Sequence, residues 1–101
     1  MFSFFNNDSL SNGHVRNSSI NNFEYLQKAR KDLAGEIEAI IEYDNHIRSV
    51  ADGIVKDTWT NIKHEELVHA GELIALINYL SPEDNQYLEK GIKEFSQRMT
   101  N

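Results

Sequence analysis

Seven residues in the second half of the chain constrain its fold more than any other feature. Trp59, Ile62, Glu66, His69, Leu73, Leu76 and Leu80 follow one another at alternating steps of three and four, the spacing that keeps side chains on one face of an α-helix. Five of the seven are apolar, so the stripe belongs against a core, yet a carboxylate and an imidazole occupy two of its positions. Buried without a partner, either group is strongly unfavourable, and each must meet an opposite charge or a hydrogen bond. One metal ion satisfies both. Glu66-Leu67-Val68-His69 is an E-x-x-H step, whose two donors share a helix face closely enough to ligate one metal cluster.

A helix this apolar needs a long partner, and the preceding segment supplies it. From about Asn21, apolar residues Phe23, Leu26, Leu33, Ile37, Ile40, Ile47 and Ala51 recur with helical spacing until Asp52-Gly53, which predicts a first helix of about thirty residues. The second helix is expected from Ile54, or from a cap at Asp57, to Leu80. The short turn between them makes the pair an antiparallel hairpin. On the first helix a second row, Glu36, Ile40, Tyr43, Ile47 and Val50, flanks the main apolar face and places Glu36 at the core boundary. Ser81-Pro82-Glu83-Asp84 reads as a new helix start, with a capping Ser, Pro at the first position and acids facing the helix dipole. Leu88, Ile92, Phe95 and Met99 then give a shorter third helix one apolar face, which can cover the hairpin or a neighbouring chain. Residues 1–19, rich in Asn and Ser, read as a flexible arm whose Phe2, Phe4 and Phe5 can dock on a partner; residues 20–101 form the helical domain.

The expected fold is therefore all-α: an antiparallel two-helix hairpin plus a shorter C-terminal helix. The hairpin offers one Glu and one Glu/His pair. A carboxylate-bridged di-iron bundle takes a Glu from each of two helices and an E-x-x-H from each of two others, twice what one copy holds. A symmetric dimer completes the four-helix bundle and the ligand set. The competing reading is a polar cluster that fixes dimer register without metal. His64, Glu65, Glu38, Glu42, His46 and His14 fall off the apolar stripes and read as solvated. Tyr43 reads either as core packing or as a hydroxyl that hydrogen-bonds a ligand carboxylate from outside the metal.

Composition narrows the chemistry further. With no cysteine, any metal must be held by His, Asp and Glu. A formal net charge of −6 over 101 residues argues against a nucleic-acid surface and favours cations as guests. No apolar run approaches a membrane span, and the opening residues lack a basic, then apolar, leader; the expected location is the cytoplasm.

Two stretches carry a family resemblance. Gly35-Glu36-Ile37-Glu38-Ala39-Ile40-Ile41-Glu42-Tyr43-Asp44, followed by Glu65-Glu66-Leu67-Val68-His69-Ala70, resembles the encapsulated ferritins, within the ferritin and rubrerythrin-like group, over roughly residues 28–80. The resemblance implies a ferritin-like bundle, a ferroxidase centre formed at a dimer interface, and dimers assembled into rings inside an encapsulin shell. It implies Glu36, Glu66 and His69 as iron ligands, with Glu66 bridging two irons shared between the chains. Oxidation of Fe(II) to Fe(III) for iron storage or detoxification would follow. Alternatives are another di-metal protein, peroxide-scavenging or manganese-dependent, and a non-enzymatic helical interaction module. Gly35 stands where the family often carries an acid that works with the Glu38 position in guiding metal inward, leaving Glu38 alone for that role. Glu42 replaces an aromatic, and Phe95-Ser96-Gln97-Arg98-Met99-Thr100-Asn101 does not resemble a shell-docking peptide.

Overall fold

A computed structural model describes residues 19–100 of the chain. The arm expected for residues 1–19, with its three phenylalanines and His14, lies outside them apart from Ser19. The described residues are helical as expected: α1 (Ser19–Arg48), α2 (Gly53–Leu80) and α3 (Pro82–Met99). None of these helices is long and apolar enough to cross a membrane.

The turn between the long helices differs from the sequence expectation in its details. Helix α1 stops at Arg48, three residues before Ala51, and both the N–H and the hydroxyl of Ser49 bond the His46 carbonyl at 3.1 Å. Asp52, read as the end of the first helix, instead begins the second. Its carboxylate accepts from the N–H groups of Ile54 and Val55 at 2.9 and 3.1 Å, two donors that a helix start would otherwise leave unpaired. With that cap in place, the alternative start at Asp57 is not used.

α1 and α2 pack antiparallel. Leu26, Ala29 and Ile77 form a buried cluster between them, with Leu33 and Leu80 packed against it, and Ala70 is buried elsewhere on α2. The α1 row that faces α2 is thus Leu26, Ala29, Leu33, Glu36, Ile40, Tyr43 and Ile47, and Glu36 sits within it rather than at its boundary. Phe23 and Ile37, assigned to the main apolar face, are exposed, as are Leu76 of the α2 stripe and its neighbours Leu67 and Ile74. The apolar sectors of both helices are wider than the strip one partner helix can cover, so each hairpin keeps apolar surface on both flanks.

A single residue, Ser81, separates α2 from α3. It is buried; its N–H bonds the Ile77 carbonyl at 2.9 Å and its carbonyl accepts from Asn85 N–H at 3.1 Å. The expected side-chain cap is absent from the helix N–H groups, so Ser81 joins the helices through its backbone. Arg30 reaches from α1 to Asp84 at 2.8 Å. That guanidinium first, and then Ser81, hold the Asp84 carboxyl below its ordinary pKa. Beyond this joint α3 stands off: Leu88, Ile92, Phe95 and Met99 are all exposed.

Candidate metal centre

The hairpin brings three residues from distant points of the sequence to one place. Glu36 projects from the middle of α1, and Glu66 and His69 from one turn of α2. A ligand atom from each lies within 4.8 Å of the other two. His69 Nδ1 is 3.6 Å from Glu66 Oε1 and 3.9 Å from Glu36 Oε1. Donors at about 2.1 Å from a common metal lie roughly 3–4 Å apart, so the spacing suits a shared cation with little adjustment.

The electrostatics of the group point the same way. Glu36 Oε1 is buried and accepts no hydrogen bond of ordinary geometry, although the carboxyl group as a whole leans on that of Glu66. That carboxyl–carboxyl contact, followed by burial and the Glu66 charge, raises the Glu36 pKa above the ordinary carboxylate value, while His69 opposes the rise. Two acids held together with one oxygen unsatisfied form a strained arrangement for a protein alone. A cation relieves it, because a positive charge reverses the sign of each of these contributions.

The donor set is one His nitrogen and carboxylate oxygens, a combination that suits iron, manganese or zinc more than soft metals. It is also short: three residues leave coordination positions open, and His69 keeps a third of its side chain exposed on the flank where the group opens outward.

Tyr43 and Glu38 are placed differently. Tyr43 lies two turns from Glu36 and packs edge-on against His46, ring centroids 5.9 Å apart; His46 in turn lies against Trp59 at 4.6 Å. Glu38 is on the outer face of α1, where it lines a shallow hollow with Ile41, Glu42 and Asn45, away from the three-residue group. His64, Glu65 and Glu42 are exposed, where the sequence reading put them. Two contributors escaped that reading. Asp32, one turn before Glu36, adds a further raising influence on its carboxyl; the four-residue spacing of the two acids was the available signal. His46 was read as ordinary because its Trp59 contact joins two helices.

Comparison with known proteins now places the fold. The encapsulated ferritin domain from Pyrococcus furiosus superposes with a TM-score of 0.67, at 27% identity over 94% of each chain. The chain has an encapsulated-ferritin-like fold. The likeness extends past residues 28–80, where the sequence resemblance lay, to nearly the whole chain, and it points to a ferritin-like, iron-related function; Glu36, Glu66 and His69 are the group that could hold a metal ion. Neither protein-family models nor curated proteins give a match to the sequence.

Proposed function

We propose that the chain is a ferroxidase that binds Fe(II) as substrate between two copies of itself, with Glu36, Glu66 and His69 from each copy as ligands. The observation that carries this reading is the buried, unbonded Glu36 Oε1, set within ligand distance of His69 in a half-site that opens on one flank of the hairpin. A two-fold axis beside that flank doubles the inventory to four carboxylates and two imidazoles, the complement of a di-iron bundle.

The residues have separable roles. Glu36, whose carboxyl the contact with Glu66 raises above the ordinary carboxylate pKa, must be deprotonated to ligate, and so couples metal uptake to pH. Glu66 would be the carboxylate that bridges the two irons, as the family resemblance implies. His69 supplies the neutral donor. Carboxylate charge favours Fe(III) over Fe(II), so the ligand set itself promotes oxidation. Two Fe(II) lose one electron each; dioxygen takes both with two protons to give hydrogen peroxide, or hydrogen peroxide takes both with two protons to give two waters. Tyr43 and Glu38 retain supporting roles in this reading, the first in packing the bundle beside the ligands, the second in attracting cations to the outer surface. A bundle of this size encloses no mineral cavity, so the Fe(III) product passes to a surrounding compartment, for which an encapsulin shell in the cytoplasm is the proposed setting.

Anaerobic Fe(II) titration followed by stopped-flow oxidation tests the proposal. The expected result is one iron per chain and rapid oxidation by O₂ or peroxide. Manganese retention with no iron oxidation would favour the alternative di-metal protein. No metal binding at all would leave the polar cluster as a device that sets pairing register.

A further inference from the structure

The chain's one proline, Pro82, stands where α2 would otherwise run on into α3. Helical bonding is intact on either side of it. Ser81 N–H bonds the carbonyl of Ile77, four residues back, at 2.9 Å, and Asn85 N–H bonds the carbonyl of Ser81, again four back, at 3.1 Å. Between these two, the bond from residue 82 to the Asn78 carbonyl is missing, because proline has no N–H and its ring pushes against the carbonyl four residues earlier. Ser81 takes up the break with a non-helical backbone, φ −140° and ψ 74°. α2 and α3 thus share one helical register interrupted at a proline, a common origin of a sharp helix bend. The Asn78 side chain adds to the cost of this arrangement, since its Oδ1 is buried with no hydrogen-bond donor.

Little fixes the direction that α3 takes from this bend. No residue of α3 is buried, so core packing does not hold it. Among the described residues, the side-chain bond that ties α3 to α1 is the Arg30–Asp84 ion pair, 2.8 Å long with 41% and 57% of the two side chains exposed. A pair this exposed biases an equilibrium by about fivefold at most rather than locking it. We propose that Ser81-Pro82 is a hinge and Arg30–Asp84 its latch: with the pair made, the first turn of α3 is held against α1, and with the pair broken α3 swings towards the line of α2. Asp84 sits beside the hinge, whereas Met99 lies seventeen residues beyond Pro82, roughly 25 Å of helix. A small change of angle at the latch therefore carries the exposed row Leu88, Ile92, Phe95 and Met99 through a long arc. The device responds to ionic strength, because the screening length falls from about 10 Å at 0.1 M salt to about 3 Å at 1 M. It needs neither metal nor the ferroxidase reading.

Pulsed electron spin distance measurements between nitroxides at His64→Cys and Lys93→Cys test the hinge. Both positions are exposed, the chain has no cysteine of its own, and the labels stand on long arms either side of Ser81. The labelled full-length chain is diluted in chelator with a large excess of unlabelled chain, so that only distances within one chain are read, and circular dichroism shows that helix content is kept. Without further substitution, one main distance is expected at low salt. Asp84→Asn, Arg30→Gln and the two together should each raise, by about fivefold, the population of a longer distance, bounded by the roughly 43 Å that 29 residues of unbroken helix would span. Salt at 1 M should do the same to the unsubstituted pair. Pro82→Ala, which restores the missing N–H, should move the Asp84→Asn chain further towards the long distance. A distribution that neither the variants nor salt alters overturns the latch. So does a response to Asp84→Asn with none to Arg30→Gln, which would mean that Asp84 acts within α3 and its joint rather than through α1. An unchanged distance in Pro82→Ala overturns the hinge.

Discussion

Glu36 is the residue on which the site turns, because among the described residues it alone combines a buried, unsatisfied carboxylate oxygen with a raised pKa. Glu36→Ala, Glu66→Ala and His69→Ala are each expected to reduce Fe(II) oxidation by roughly 100-fold or more, since even residues that merely support metal ligands account for about 10–100-fold. His64→Ala and Glu42→Ala, on exposed faces, should leave stopped-flow rates within about twofold. The raised pKa of Glu36 gives the pH dependence its sign. An acid whose folded pKa lies above its unfolded value holds its proton more tightly in the folded chain, so this contribution stabilises the metal-free fold at low pH and is lost as pH rises through the folded pKa. Metal must displace the same proton, so iron affinity should fall as pH drops through that raised value. Isothermal titration across pH 5 to 8 with wild type and Glu36→Gln checks both signs: the variant should lose iron binding, and its metal-free form should melt higher than wild type at neutral pH.

At the scale of the helices, the turn depends on one carboxylate. Asp52 caps two N–H groups of α2, so Asp52→Ala should cost about 1 kcal/mol, read as a lower melting temperature of the metal-free chain, while Asp57→Ala should change little. The same turn shows where the sequence was ambiguous. Asp52-Gly53 carries both a helix-stop and a helix-start signal, and only the geometry of the Asp52 side chain separates them. Helix number, order and the antiparallel pairing were legible because heptad spacing survives any error at the ends. Which apolar row faces inward was not, because Ile40 and Ile47 belong to both candidate rows on α1 and the sectors are wider than one contact. The grouping of Glu36 with Glu66 and His69 was legible for a related reason: polar residues inside an apolar row have few places to go. The Tyr43–His46–Trp59 contacts and the influence of Asp32 were not foreseen, since they depend on how the helices meet rather than on the spacing within either.

For the whole molecule, the proposed shared site ties assembly to metal. In the proposed pairing across the ligand flank, Glu36 and Glu66 from both copies would bring four carboxylates together, and their repulsion would oppose pairing until a cation is bound. A site shared in this way would bind metal in the paired chains in preference to free ones, so by linkage iron should promote pairing across this flank. Fe(II) added without oxygen should therefore produce a species larger than the metal-free one. Glu66→Ala is the informative control, because it removes a ligand and part of the repulsion together: pairing across the ligand flank should become easier without metal, while the response to iron disappears. Sedimentation velocity with and without Fe(II) reads both effects. If iron binds at one per chain yet leaves the assembly unchanged at concentrations where the metal-free chain is still partly monomeric, each chain holds its metal alone and the shared site is wrong, even with the ligands correctly assigned.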